Sequence, residues 1–117
     1  MTLEEFEKET AAAIRSLPAF FKGRLDNVAV IVRAAPSPAQ VKRFGRGLLG
    51  LYEGVSQLDR GQAYSGAMPD KITLFKLNIE SSCSSGALKR EIRNVLMHEI
   101  AHHFGMDDEE LIEKGLY

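Results

Sequence analysis

The segment His98-Glu99-Ile100-Ala101-His102 carries two imidazoles four positions apart, with a carboxylate directly after the first. On a helix of 3.6 residues per turn, positions four apart project from one side, about 40° from each other. Two imidazoles placed in this way can donate to one tetrahedral zinc ion. Glu99 falls further round the helix, beside such an ion, where a carboxylate can take a proton from an activated water. Two donors are not a complete site, because a catalytic zinc takes three protein ligands and keeps a fourth position open. Gly105 lets the chain leave the helix in a left-handed conformation and turn back. Asp108, six residues after His102, can then reach the same ion. Asp107 can take that place instead, and either aspartate can cap a following short helix. The full pattern is H-E-x-x-H-x-x-G-x-x-D. H-E-x-x-H alone recurs by chance, so the weight comes from the helix context, the turn glycine and the downstream carboxylate together.

Other residues are read more plainly. His103 points roughly 100° away from His102 and reads as a packing histidine with a ring nitrogen on a backbone carbonyl. Glu91, two turns before His98, reads as a solvated helix glutamate. Cys83 has no Cys or His near it in sequence and reads as an ordinary free thiol. Gly45-Arg46-Gly47-Leu48-Leu49-Gly50 matches G-x-G-x-x-G, with Asp70 twenty residues on. A dinucleotide fingerprint needs a strand directly before it and a helix starting inside it. Pro36 and Pro38 separate this run from the preceding apolar segment, so its glycines read as serving turns and close packing.

The elements that must position these groups follow from periodicity. Leu88 to Phe104 is the longest helix-competent stretch, and from Leu96 onward it is apolar around most of its circumference. Such a helix belongs in the middle of a domain. Thr2 and Glu5 form a capping box opening a first helix that Pro18 stops. Residues 19–27 read as a short helix or turn. Val28-Ala29-Val30-Ile31-Val32 reads as a strand buried on both faces. Leu48–Tyr52 reads as a second strand interrupted by Gly50, and Ile72–Leu77 as a third. The segments 57–70 and 81–86 read as loops, and Lys42-Arg43-Phe44-Gly45-Arg46 as a local basic spot.

Composition narrows the function classes. The 117 residues suit one domain, here 1–117, with an adequate core. Fifteen basic and sixteen acidic side chains give a net charge of −1, so there is no overall field to draw in nucleic acid or an anionic membrane. Cys83 is the only cysteine, which excludes an internal disulfide and an all-cysteine metal site. The first ten residues hold four glutamates, the wrong sign for a signal peptide, and no apolar run is long enough for a membrane span. The expectation is a cytoplasmic protein without nucleic-acid or membrane partners.

The run from His98 to Asp108, with Gly50-Leu51-Tyr52-Glu53-Gly54 and Pro69-Asp70-Lys71-Ile72-Thr73-Leu74-Phe75, resembles the small prokaryotic zincin-like metallopeptidase family. The resemblance covers about residue 27 to the C-terminus. It implies a minimal zincin-like α+β fold, with a small sheet packed on a central zinc-binding helix. It implies one zinc ion per chain on His98, His102 and Asp108, Glu99 as catalytic base, and a peptide or protein substrate. Substrate would lie along an edge strand, which the resemblance places at Ile72–Leu77. Tyr64, Tyr117 and Arg60 are candidates for stabilising an oxyanion by chemistry only. Larger metzincins set a methionine-containing turn beneath the metal, after the third ligand. No methionine follows Asp108 here, and Met97 and Met106 lie inside the motif region. The floor of the site is therefore expected to be built differently, with most of the downstream cleft wall missing or supplied by a partner. Two other readings stand beside the peptidase. One is a metal-binding protein without turnover. The other is a small metal-dependent ribonuclease, although that group uses a third histidine and lacks the glutamate.

Overall fold

The computed structural model describes residues 1–54 and 70–103. Gly105, Met106, Asp107, Asp108, the expected last short helix, Arg60, Tyr64 and Tyr117 lie outside the described residues.

Helix α1 (Leu3–Arg15) opens with the predicted box. The Glu5 amide donates to Thr2 Oγ1 at 3.1 Å and the Thr2 amide donates to Glu5 Oε1 at 3.0 Å, so two otherwise orphaned donors are satisfied. The short helix α2 (Ala19–Lys22) runs into a 3₁₀ turn at Gly23–Leu25. Strand β1 (Val28–Arg33) follows, then α3 (Pro38–Phe44), β2 (Gly50–Glu53) and β3 (Asp70–Phe75). Helix α4 (Lys76–Ser82), a 3₁₀ turn at Ser85–Ala87 and helix α5 (Leu88–His103) complete the described chain.

The three strands form one sheet in the order β1-β3-β2. Strand β1 runs parallel to β3, from Val28 opposite Asp70 to Arg33 opposite Phe75. Strand β2 runs antiparallel to β3, with Gly50 opposite Leu74 and Tyr52 opposite Ile72. By this register Val30, Val32, Ile72, Leu74, Gly50 and Tyr52 share one face. Helices α1 and α5 pack against each other and cover that face. The core there is built from Phe6, Ile72, Leu74, Ile92, Leu96 and Ile100, each almost fully buried. This is an α+β arrangement with α5 as its central helix, as the resemblance implies.

Two strand assignments are corrected. Strand β1 is not buried on both faces: among the described residues it lies at the sheet edge, and Val32 is its one buried residue. Its alternate face leaves Ala29 and Arg33 exposed. The doubly covered strand is β3, buried from Ile72 to Phe75. That same position overturns Ile72–Leu77 as a substrate-binding edge, because both sides of β3 already pair with other strands. The strand also stops at Phe75. Lys76 and Leu77 begin α4, whose first turn is tied by an ion pair from Lys76 Nζ to Glu80 Oε1 at 3.0 Å.

Two helices lie where loop or unstructured basic sequence is expected. Ser37 caps α3 through a reciprocal box with Gln40, so Pro38 sits at a first-turn position where its missing N–H costs nothing. In α4, Ser81 and Ser82 donate their hydroxyls back to the carbonyls of Leu77 and Ile79, and so remain helical.

Candidate metal centre

Helix α5 buries Leu88, Ile92, Val95, Leu96, Met97, Ile100 and Ala101, which fixes its rotation against α1 and the sheet. With that face committed to the core, His98 and His102 are turned toward the sheet's β2 side. Their rings lie 6.0 Å apart between centroids and within 9° of parallel. They line a 260 Å³ cleft with Glu99, Val95, Leu49 and Gly50. His98 and Glu99 are half-buried and His102 is exposed. Burial pushes the Glu99 carboxyl above its ordinary range, and His102 pulls weakly the other way. A carboxyl raised in this manner is a stronger base when ionised.

Gly50 explains how the helix comes this close to β2. A Cβ there would lie 2.7 Å from Val95 Cγ1 and 3.4 Å from Glu99 Cγ. The glycine of the G-x-G-x-x-G run thus serves close packing. Around that run the order is helix α3 first and strand β2 second, the reverse of what a dinucleotide fold requires. Gly45 ends α3 with φ at 93°.

Structure and sequence meet at His98, Glu99 and His102, which come together on one cleft. The two imidazoles are nitrogen donors of the kind zinc takes, and the carboxylate stands beside them. Among the described residues no group of three or more His, Cys, Asp or Glu side chains is arranged to hold a metal ion. The third ligand expected at Asp108, or at Asp107, lies outside the described residues.

His103 is placed differently from its sequence reading. It is 37% exposed at the side chain, and its ring stacks on Tyr52 at 3.9 Å between centroids and 14° between planes. Its Nε2 faces Asp70 Oδ2 at 3.9 Å. The Tyr52 hydroxyl donates to the same Oδ2 at 2.9 Å. Burial, then that hydrogen bond and the charge of Asp70, push the Tyr52 phenol up to about 12. Sequence reasoning gave Tyr52 and Asp70 no role, although both stand in the phrases that carry the family resemblance. Cys83 is half-buried, and burial followed by the charge of Glu91 raises its thiol, which leaves it unreactive at neutral pH. Glu91 is itself half-buried, more enclosed than a solvated glutamate.

The profile of the zincin-like metallopeptidase family matches residues 25–116. The search of curated proteins returned no match. Among solved structures, a conserved hypothetical protein from Thermus thermophilus superposes with a TM-score of 0.53 at 23% identity, covering 97% of this chain and 99% of that one. At that identity the likeness speaks for the fold. The family match spans both the sheet and the histidine-bearing helix, and the chain belongs to the zincin-like metallopeptidase family.

Proposed function

We propose that the chain is a zinc-dependent peptidase acting on peptide or protein substrates, with one zinc ion per chain held by His98, His102 and Asp108. The observation that carries this reading is the shared cleft: two parallel imidazoles and the half-buried Glu99 open onto the same space beside Gly50. Zinc in such a setting supplies Lewis acidity, which acidifies water and polarises a carbonyl. The work of the protein's own residues is proton handling and placement. Glu99 accepts the proton of the attacking water on a carboxylate oxygen and hands it to the departing amine. Val95 and Leu49 form the apolar sides of the cleft and limit the water around Glu99. Strand β2 is an edge strand among the described residues, and its Gly50 end lines the cleft, so an extended substrate is placed along β2.

Two variants test this. His98→Ala is expected to lose the single zinc ion that the wild-type protein holds after purification without chelators. Glu99→Gln is expected to keep the zinc and to lose peptide cleavage by about 100- to 10,000-fold. Cleavage at the wild-type rate in Glu99→Gln would remove Glu99 from the mechanism. Zinc without cleavage in the wild-type protein, tried against a broad peptide library, would favour the metal-binding reading without turnover.

A further inference from the structure

We infer that Tyr52, Asp70 and His103 form a clamp that holds the end of α5 bearing His102 against β2, and so tunes the affinity of the metal centre from outside it. This inference rests on the zinc reading above.

The three residues come from three elements. The register puts Tyr52 opposite Ile72, so Asp70, two positions before Ile72, is its diagonal neighbour on the α5 side of the sheet. The Tyr52 hydroxyl closes that diagonal at 2.9 Å. The His103 ring lies flat on the Tyr52 ring and its Nε2 faces the same carboxylate oxygen. A ring held by stacking on one side and by a carboxylate at its edge has little freedom to turn. Gly54 lies beside it: a Cβ there would stand 3.5 Å from His103 Cε1, at van der Waals contact.

His103 follows His102 directly, and a backbone fixed at one residue of a helical turn fixes its neighbour's Cα–Cβ direction. The apolar residues of α5 anchor the helix body, whereas His102 and His103 are exposed at its last turn. The clamp ties this last turn to β2 and β3. Groups that orient a metal ligand without touching the metal change affinity by roughly 10- to 100-fold when removed. Tyr52, Asp70 and His103 are positioning residues in this sense.

The experiment compares the zinc dissociation constant, from competition with a chromophoric chelator, with the melting temperature of the metal-free protein. His103→Ala is expected to weaken zinc about tenfold or more while the metal-free melting temperature stays near wild type, because the ring is partly exposed. His103→Phe, which retains the stack on Tyr52, is expected to recover most of the affinity. Asp70→Asn is expected to fall between wild type and His103→Ala. Wild-type zinc affinity in His103→Ala overturns the clamp, and so does a His103→Phe variant as weak as His103→Ala. A fall in metal-free stability with unchanged zinc affinity assigns the cluster to folding alone and also overturns it. A wild-type protein that holds no zinc at all defeats the metal reading itself, an outcome distinct from each of these.

Discussion

Tyr52 is the residue whose surroundings make the sharpest solution prediction. Its phenol is raised from 10 to about 12 by burial and by Asp70. A proton bound more tightly in the folded state stabilises that state fully below the unfolded value. The contribution is then lost as pH rises from about 10 to about 12. Phenolate absorbance followed against pH should therefore show one of the three tyrosines titrating late, and Tyr52→Phe should delete that phase. The same substitution removes a hydrogen bond to a carboxylate and leaves the ring stack in place. A stability loss of about 1 kcal/mol is expected by urea titration. Gly50 is the other decisive residue. Gly50→Ala places a methyl 2.7 Å from Val95 Cγ1 in a packed interface. It should cost about 1–3 kcal/mol by the same measurement, as overpacking does, and should weaken zinc binding because Glu99 and the helix must shift together.

The elements show what a linear reading can and cannot reach. Helix α5 and the alignment of His98, Glu99 and His102 were legible because both depend on spacing within a few residues. The Thr2–Glu5 box that starts α1 is equally local. Strand order is not local. Val28–Val32 read as a continuous apolar run and Ile72–Leu77 as a partly alternating strand, and that contrast pointed to the wrong one as doubly buried. The helix at Lys76–Ser82 was missed because its start has no side-chain cap and its serines match loop composition. The meeting of Tyr52 with Asp70, and of both with His103, depends on the antiparallel register and on how closely α5 lies to β2. The one local hint was Gly50, a glycine inside a strand pattern, which signals close backbone approach. Helix α3 could have been found from Ser37-Pro38-Ala39-Gln40, a capping box with proline at its first position.

At the scale of the molecule, the proposed zinc binding would be linked to folding. Free zinc at one hundred times its dissociation constant should add about 2.7 kcal/mol to stability, seen as a rise in melting temperature that His98→Ala abolishes. The parallel pairing of β1 with β3 decides when that energy becomes available. Parallel strands cannot be joined by a tight turn, so Val28 finds Asp70 only after the chain carrying α3 and β2 has been drawn together. The β2–β3 pair, which brings Tyr52 to Asp70, and the packing of α5 on that pair are likewise contacts between distant parts of the sequence. Non-local contacts of this sort are slow to form, since chain entropy is lost before they return any stability. On the zinc reading, the metal centre is expected to close only after these contacts have formed, beyond the rate-limiting barrier. Interactions missing from that barrier act on the escape rate and not on the approach. Stopped-flow refolding should run at the same speed with or without zinc, while unfolding in denaturant should slow roughly in proportion to zinc occupancy. On the zinc reading, the sheet order would make the ion a latch on the finished molecule instead of a template for building it.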